Sequence, residues 1–115
     1  MKLAVSGSRT ILVSQALLDF LNEWQPETVI TGGAVGVDVL AEKWATENSK
    51  KLLIKKPEYS KYGKTAPMVR NSAIVKECDA LIAVWDGKSK GTQATIKMAK
   101  RAGKLLKVIL ELENC

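Results

Sequence analysis

Apolar residues in this chain come in two alternating rhythms. The run Leu3-Ala4-Val5 shows no alternation with polar positions, as expected of a parallel strand covered on both faces. Further short runs at Thr28 to Thr31, Leu52-Leu53-Ile54, Ala80-Leu81-Ile82-Ala83-Val84 and Leu105 to Leu110 predict four more strands, the run from Ala80 being the most apolar and so the most central. Between them Val13, Leu17, Phe20, Leu21 and Trp24 mark one face of a helix that Pro26 stops. Val37, Leu40, Ala41, Trp44 and Ala45 repeat that spacing, with Asp38 in the first turn and Asn48-Ser49 ending the pattern.

Residues 55–66 show no periodicity and hold Pro57, Tyr59, Tyr62 and Gly63, which predicts a loop of a length seldom kept without a function. Pro67 suits the first position of a helix running to about Glu77, with Arg70 and Asn71 early in it. A last helix is predicted from about Thr92 to Ala102, with Lys97, Lys100 and Arg101 in its later turns and Gly103 at its C-cap. The order β-α-β-α-β-loop-α-β-α-β argues a single Rossmann-like α/β domain over residues 1–115, a three-layer fold on an open five-stranded parallel sheet. The expected strand order is 3-2-1-4-5, with the switch point between strands one and four.

Three glycine-bearing turns follow strands one, two and four, so all should meet at the carboxyl edge: Ser6-Gly7-Ser8-Arg9, Thr31-Gly32-Gly33-Ala34-Val35-Gly36-Val37-Asp38, and Trp85-Asp86-Gly87-Lys88-Ser89-Lys90-Gly91-Thr92. Glycine lets backbone approach a ligand, and the unpaired amides of a helix N-terminus attract anions. The turn from Thr31 to Asp38 therefore reads as a phosphate cradle formed by the amides around Gly32, Gly33, Ala34 and Gly36. Arg9 and Arg70 fall at predicted helix starts, where a bound phosphate would offset the repulsion between cation and dipole. Gly7, Ser8, Asn71, Gly87, Ser89, Gly91 and Thr92 complete the expected ligand-binding set, with Thr92 also read as a helix cap. Asp38 and Asp86 are the candidates for ribose contact or for catalysis, and Asp38 reads equally well as a partner of its helix dipole. Trp24 and Trp44 are assigned to the core, Trp85 to packing at a strand end with stacking on a base as its alternative, Cys78 to a small buried position, and Tyr59 and Tyr62 to a loop able to close over a ligand.

Composition narrows the chemistry. The chain has 115 residues, 46% of them hydrophobic, which supports one core and not two. It contains no histidine, so His-based triads are excluded, and Cys78 and Cys115 have no metal-ligand spacing; neither a metal nor another cofactor is expected. No apolar run approaches the roughly 20 residues of a membrane span, and Met1 to Ser6 leads directly into a strand pattern, so a cytoplasmic protein without membrane contact is expected. The formal charge of +6 suits a phosphorylated small molecule, or secondarily nucleic acid, although lysines scattered along the chain also read as solvated faces.

The four motifs Ser6-Gly7-Ser8-Arg9, Thr31 to Asp38, Tyr62-Gly63-Lys64 with Arg70-Asn71, and Trp85 to Thr92 together resemble the YspA-like branch of the SLOG superfamily. That superfamily groups the DNA-processing protein DprA/Smf with the LOG "lysine decarboxylase-like" hydrolases, and the similarity covers nearly the whole chain. The resemblance implies a Rossmann-like fold, a nucleotide-type ligand at the motif edge and a homodimer. LOG enzymes cleave nucleoside monophosphates at the N-glycosidic bond, using glutamates soon after a Gly-Gly-x-Gly-Thr turn. Here Gly91-Thr92 is followed by Gln93, Ala94 and Thr95, so nucleotide binding is expected ahead of phosphoribohydrolase-like hydrolysis, and a DprA-like DNA-binding module comes third.

Overall fold

A computed structural model describes residues 1–112. Five strands, β1 (Lys2–Gly7), β2 (Thr28–Thr31), β3 (Lys51–Ile54), β4 (Ala80–Trp85) and β5 (Leu105–Leu110), form one all-parallel sheet in the order β3-β2-β1-β4-β5, as the alternating rhythm predicts. Helices α1 (Gln15–Trp24) and α2 (Val37–Glu47) cover one face; α4 (Ala66–Glu77) and α5 (Lys90–Arg101) cover the other, joined to β3 through the single turn α3 (Tyr59–Tyr62) and a 3-10 turn at Gly63–Thr65.

Side chains alternate across β4, so Ile82 and Val84 pack under α1 and α2 while Leu81 and Ala83 pack under α4 and α5. Both sets are fully buried, which is why this strand reads as an unbroken apolar run. Strand β1 is the middle of the sheet, and β4 lies beside it. A register shift at Leu81/Ile82 lets β5 follow β4 with one residue bulged.

Several local expectations are corrected. The segment 55–66 is not a plain loop, because residues 59–65 form the two short helical turns that lead into α4. Helix α1 begins at Gln15 with Ser14 as its N-cap, and Val13 stays exposed in the preceding loop. Trp24 is not core: it is 41% exposed at the last position of α1, stacked on Phe20 with ring centroids 5.3 Å apart. Trp44 is buried as expected, and its indole N–H donates to Asn22 Oδ1 at 2.8 Å. Cys78 is buried, whereas Cys115 lies outside the described residues. No helix is long and apolar enough to cross a membrane among the described residues.

Replacing Ile82 with alanine is expected to lower stability by about 2 to 5 kcal/mol, because the fully enclosed site cannot collapse around the lost methyl groups. Urea unfolding followed by circular dichroism checks this, with the midpoint falling while the m-value stays constant.

Candidate functional site

The switch point between β1 and β4 opens a cleft of about 560 Å³ at the carboxyl edge of the sheet. Of the residues expected to bind ligand, Gly7, Arg9, Ala34, Asp38 and Arg70 line it, as do Asn71, Asp86, Ser89, Gly91 and Thr92. Ser8, Gly32, Gly33, Gly36 and Gly87 do not. Ser6, Thr10, Pro67 and Lys88 also line it although none was assigned to the ligand; Ser6 and Lys88 lie inside the quoted motifs and Thr10 adjoins Arg9, so turn proximity was the available signal.

The turn after β2 is held from inside. Asp38 Oδ2 accepts the Gly32 amide at 3.0 Å and the Ala34 amide at 3.2 Å, so a carboxylate of the protein occupies amides assigned by sequence to a phosphate. Arg70 braces the same turn by donating Nη1 to the Gly32 carbonyl, while its Nε donates to Asn71 Oδ1 at 2.7 Å. A Cβ at Gly32 would lie 2.5 Å from that guanidinium, and one at Gly36 would lie 2.5 Å from the Ser8 carbonyl. These two glycines therefore answer to packing within the protein.

Burial pushes the Asp38 carboxyl up to about 6, opposed by the two amides and by Arg70 and reinforced by Glu42 one turn along α2. Arg70 is half-buried, and burial lowers its pKa against the pull of Asp38. Neither arginine starts a helix: Arg70 is the fifth residue of α4, and Arg9 belongs to the loop before α1. Their approach to the cleft owes nothing to the ends of those helices.

The turn after β4 is stitched by Asp86. Its Oδ1 accepts the Lys88 and Ser89 amides, both at 2.8 Å, and its Oδ2 accepts the Thr10 hydroxyl at 2.9 Å. Those amides hold its pKa down at about 2, which makes Asp86 a fixed anion and no general acid near neutrality. Ser8 is buried and joins the turns, its hydroxyl accepting the Asp86 amide at 3.1 Å. The cap of α5 is Ser89, which accepts the Thr92 amide; Thr92 is instead buried, its hydroxyl 3.1 Å from that of Ser89. The Trp85 indole donates to the Ser89 carbonyl at 2.9 Å, a packing role.

Beyond this stitching, the first amides of α5, at Lys90 and Gly91, have no hydrogen-bond partner among the described residues. Gly91 is unlike the other seven glycines. Each of those has a positive φ or a neighbour that a Cβ would touch, whereas Gly91 has an ordinary φ and nothing within 4 Å of its Cβ position. A second cleft of about 380 Å³, lined by Lys55, Lys56, Tyr62 and Val69 among others, shares Arg70 as its wall. No group of three or more acidic or cysteine residues among the described residues is placed to hold a metal ion.

No protein-family model, curated protein or solved structure matches the chain.

The raised Asp38 pKa has a definite sign in stability. The native state holds this proton more tightly than the unfolded chain, whose pKa is near 3.8, so the favourable contribution is complete below 3.8 and is lost as pH rises through about 6. Asp38→Asn keeps an oxygen for both amides and has no proton to lose. Wild type is expected to lose up to about 3 kcal/mol relative to this variant between pH 3.8 and 7. Urea titrations of both proteins at half-unit pH steps measure the difference; parallel curves would contradict the assignment. Asp86 acts in the opposite sense and lower, its contribution being present above 3.8 and lost as pH falls toward 2.

Proposed function

We propose that the cleft binds a nucleotide or another nucleotide-derived, phosphate-bearing small molecule, with the phosphate at the start of α5. The observation that carries this reading is Gly91. Glycine loses more backbone freedom on folding than any other residue, and in the first turn of α5 neither backbone conformation nor packing asks for it. Close approach of a ligand to the Lys90 and Gly91 amides supplies the missing reason, since a side chain there would stand over them.

The surroundings support the same reading. Arg9 and Arg70 flank the cleft and can approach a phosphate from its other side, and Ser89 and Thr92 add hydroxyls. Asp86 and Asp38 keep the walls in place, and the lining at Ala34 and Pro67 leaves surface for the rest of the ligand. The volume of about 560 Å³ falls in the range of small-molecule sites. The resemblance of the turn motifs to the SLOG superfamily points to the same ligand class.

A second reading, phosphoribohydrolase-like hydrolysis, is favoured by one feature: Asp38 is a cleft-lining carboxyl whose pKa of about 6 suits proton transfer near neutrality. Its Oδ2 is committed to two amides, and no second carboxyl lining the cleft among the described residues titrates in that range, so binding without turnover is the preferred function.

Calorimetric titration with a panel of nucleoside monophosphates and the matching nucleosides tests the proposal. At least one monophosphate is expected to bind about 10-fold or more tightly than its nucleoside, and Gly91→Glu, folded by circular dichroism, is expected to abolish the difference. Chromatography of the same mixtures is expected to show no released base. Equal binding of nucleoside and nucleotide would contradict the phosphate site, and steady base release lost in Asp38→Asn would establish the second reading.

A further inference from the structure

Charge that looks scattered along the chain is sorted by the fold onto opposite faces of the sheet. Helices α1 and α2 carry Asp19, Glu23, Asp38, Glu42 and Glu47 against the single cation Lys43. Helices α4 and α5, on the far face, carry Arg70, Lys76, Lys90, Lys97, Lys100 and Arg101 against the single anion Glu77. Glu77 itself is committed to Lys2 and Lys55, at 3.2 and 3.1 Å. From Gly87 to Leu110 the chain has seven cations and no acid. A face that serves only solubility interleaves both signs, and this one does not.

The densest part is α5. Lys90, Lys97, Lys100 and Arg101 are all exposed, and none forms an ion pair among the described residues. At 100° per residue they fall within an arc of about 100°, spread over about 16 Å of helix axis. The opposite side of α5, with Thr92, Thr95 and Ala99, is buried against the sheet, so no apolar stripe is left to enter a membrane. Gln93 is the other exposed residue on the basic arc, which therefore lacks the apolar centre expected of a protein-protein interface. Neither α4 nor α5 contains an aromatic residue on which unpaired bases could stack.

We propose that the outer face of α5 is a docking surface for a nucleic-acid duplex, held by its phosphate backbone without base readout. A duplex presents one negative charge per roughly 1.7 Å of axis with both strands counted, so about nine phosphates fall along 16 Å, and those on the near side suffice for four contacts. This surface begins at Lys90, beside the cleft, but its other cations, Lys97, Lys100 and Arg101, lie about two turns or more further along α5 and line no part of that cleft.

Fluorescence anisotropy of the full chain with a labelled 20-base-pair DNA duplex tests the proposal. With four phosphates neutralised, affinity is expected to fall about 150-fold between 50 and 200 mM salt. Lys97→Ala with Arg101→Ala is expected to reduce that fall to about 12-fold, because two of the four contacts are removed. Lys43→Ala with Lys51→Ala removes the same charge from elsewhere and is expected to leave the salt dependence unchanged. The proposal is overturned if no duplex binds at 50 mM salt, or if the two double variants behave alike. It is equally overturned if a single strand of the same length or vesicles containing an anionic phospholipid bind more tightly than the duplex.

Discussion

Asp38 sits in the first turn of α2, enclosed by protein, and its Oδ2 receives the amides of both Gly32 and Ala34. Arg70 closes the same turn from the other side through the Gly32 carbonyl. Burying a carboxylate is unfavourable, and these three groups offset only part of that cost, so the Asp38 pKa stays raised at about 6. The shape of the cleft follows from these contacts, because the turn after β2 is one wall and α4, which carries Arg70, is another. Charge is retained at a position where an apolar residue would leave two turn amides unpaired.

The turn after β4 follows a related plan with a different outcome. Asp86 also binds turn amides through its own carboxylate, but it keeps a low pKa and leaves the next two amides, at Lys90 and Gly91, without a partner. One glycine turn is thus closed by its own acid, and the other is stitched at its base and open at its tip. That asymmetry is the ground for proposing the phosphate site at α5, whereas the glycine count alone favours the turn from Thr31 to Asp38.

Much of the fold was legible in the sequence, because unbroken apolar runs and helical spacings follow directly from burial on both faces of a parallel sheet. The strand order and the convergence of three turns at one edge came from that reading. What escaped it depends on partners distant in sequence. Asp38 reads as an acid near a helix start, and nothing in the spacing reveals that it folds back onto Gly32. Gly36 reads as a ligand-contacting glycine until the Ser8 carbonyl is found against it. Trp24 falls on the apolar arc of α1, but it lies at the last position of the helix, beyond the edge of the core. The segregation of charge was hidden because faces are made by topology, not by adjacency along the chain.

The central claim is that the start of α5, and not the turn after β2, receives the phosphate. Amide chemical shifts recorded while a nucleoside monophosphate is titrated into nitrogen-15-labelled protein read both places at once. Saturable shifts at the Lys90 and Gly91 amides, with those of Gly32 and Ala34 nearly still, are the predicted result. Shifts led by Gly32 and Ala34, or none at either turn, would contradict it.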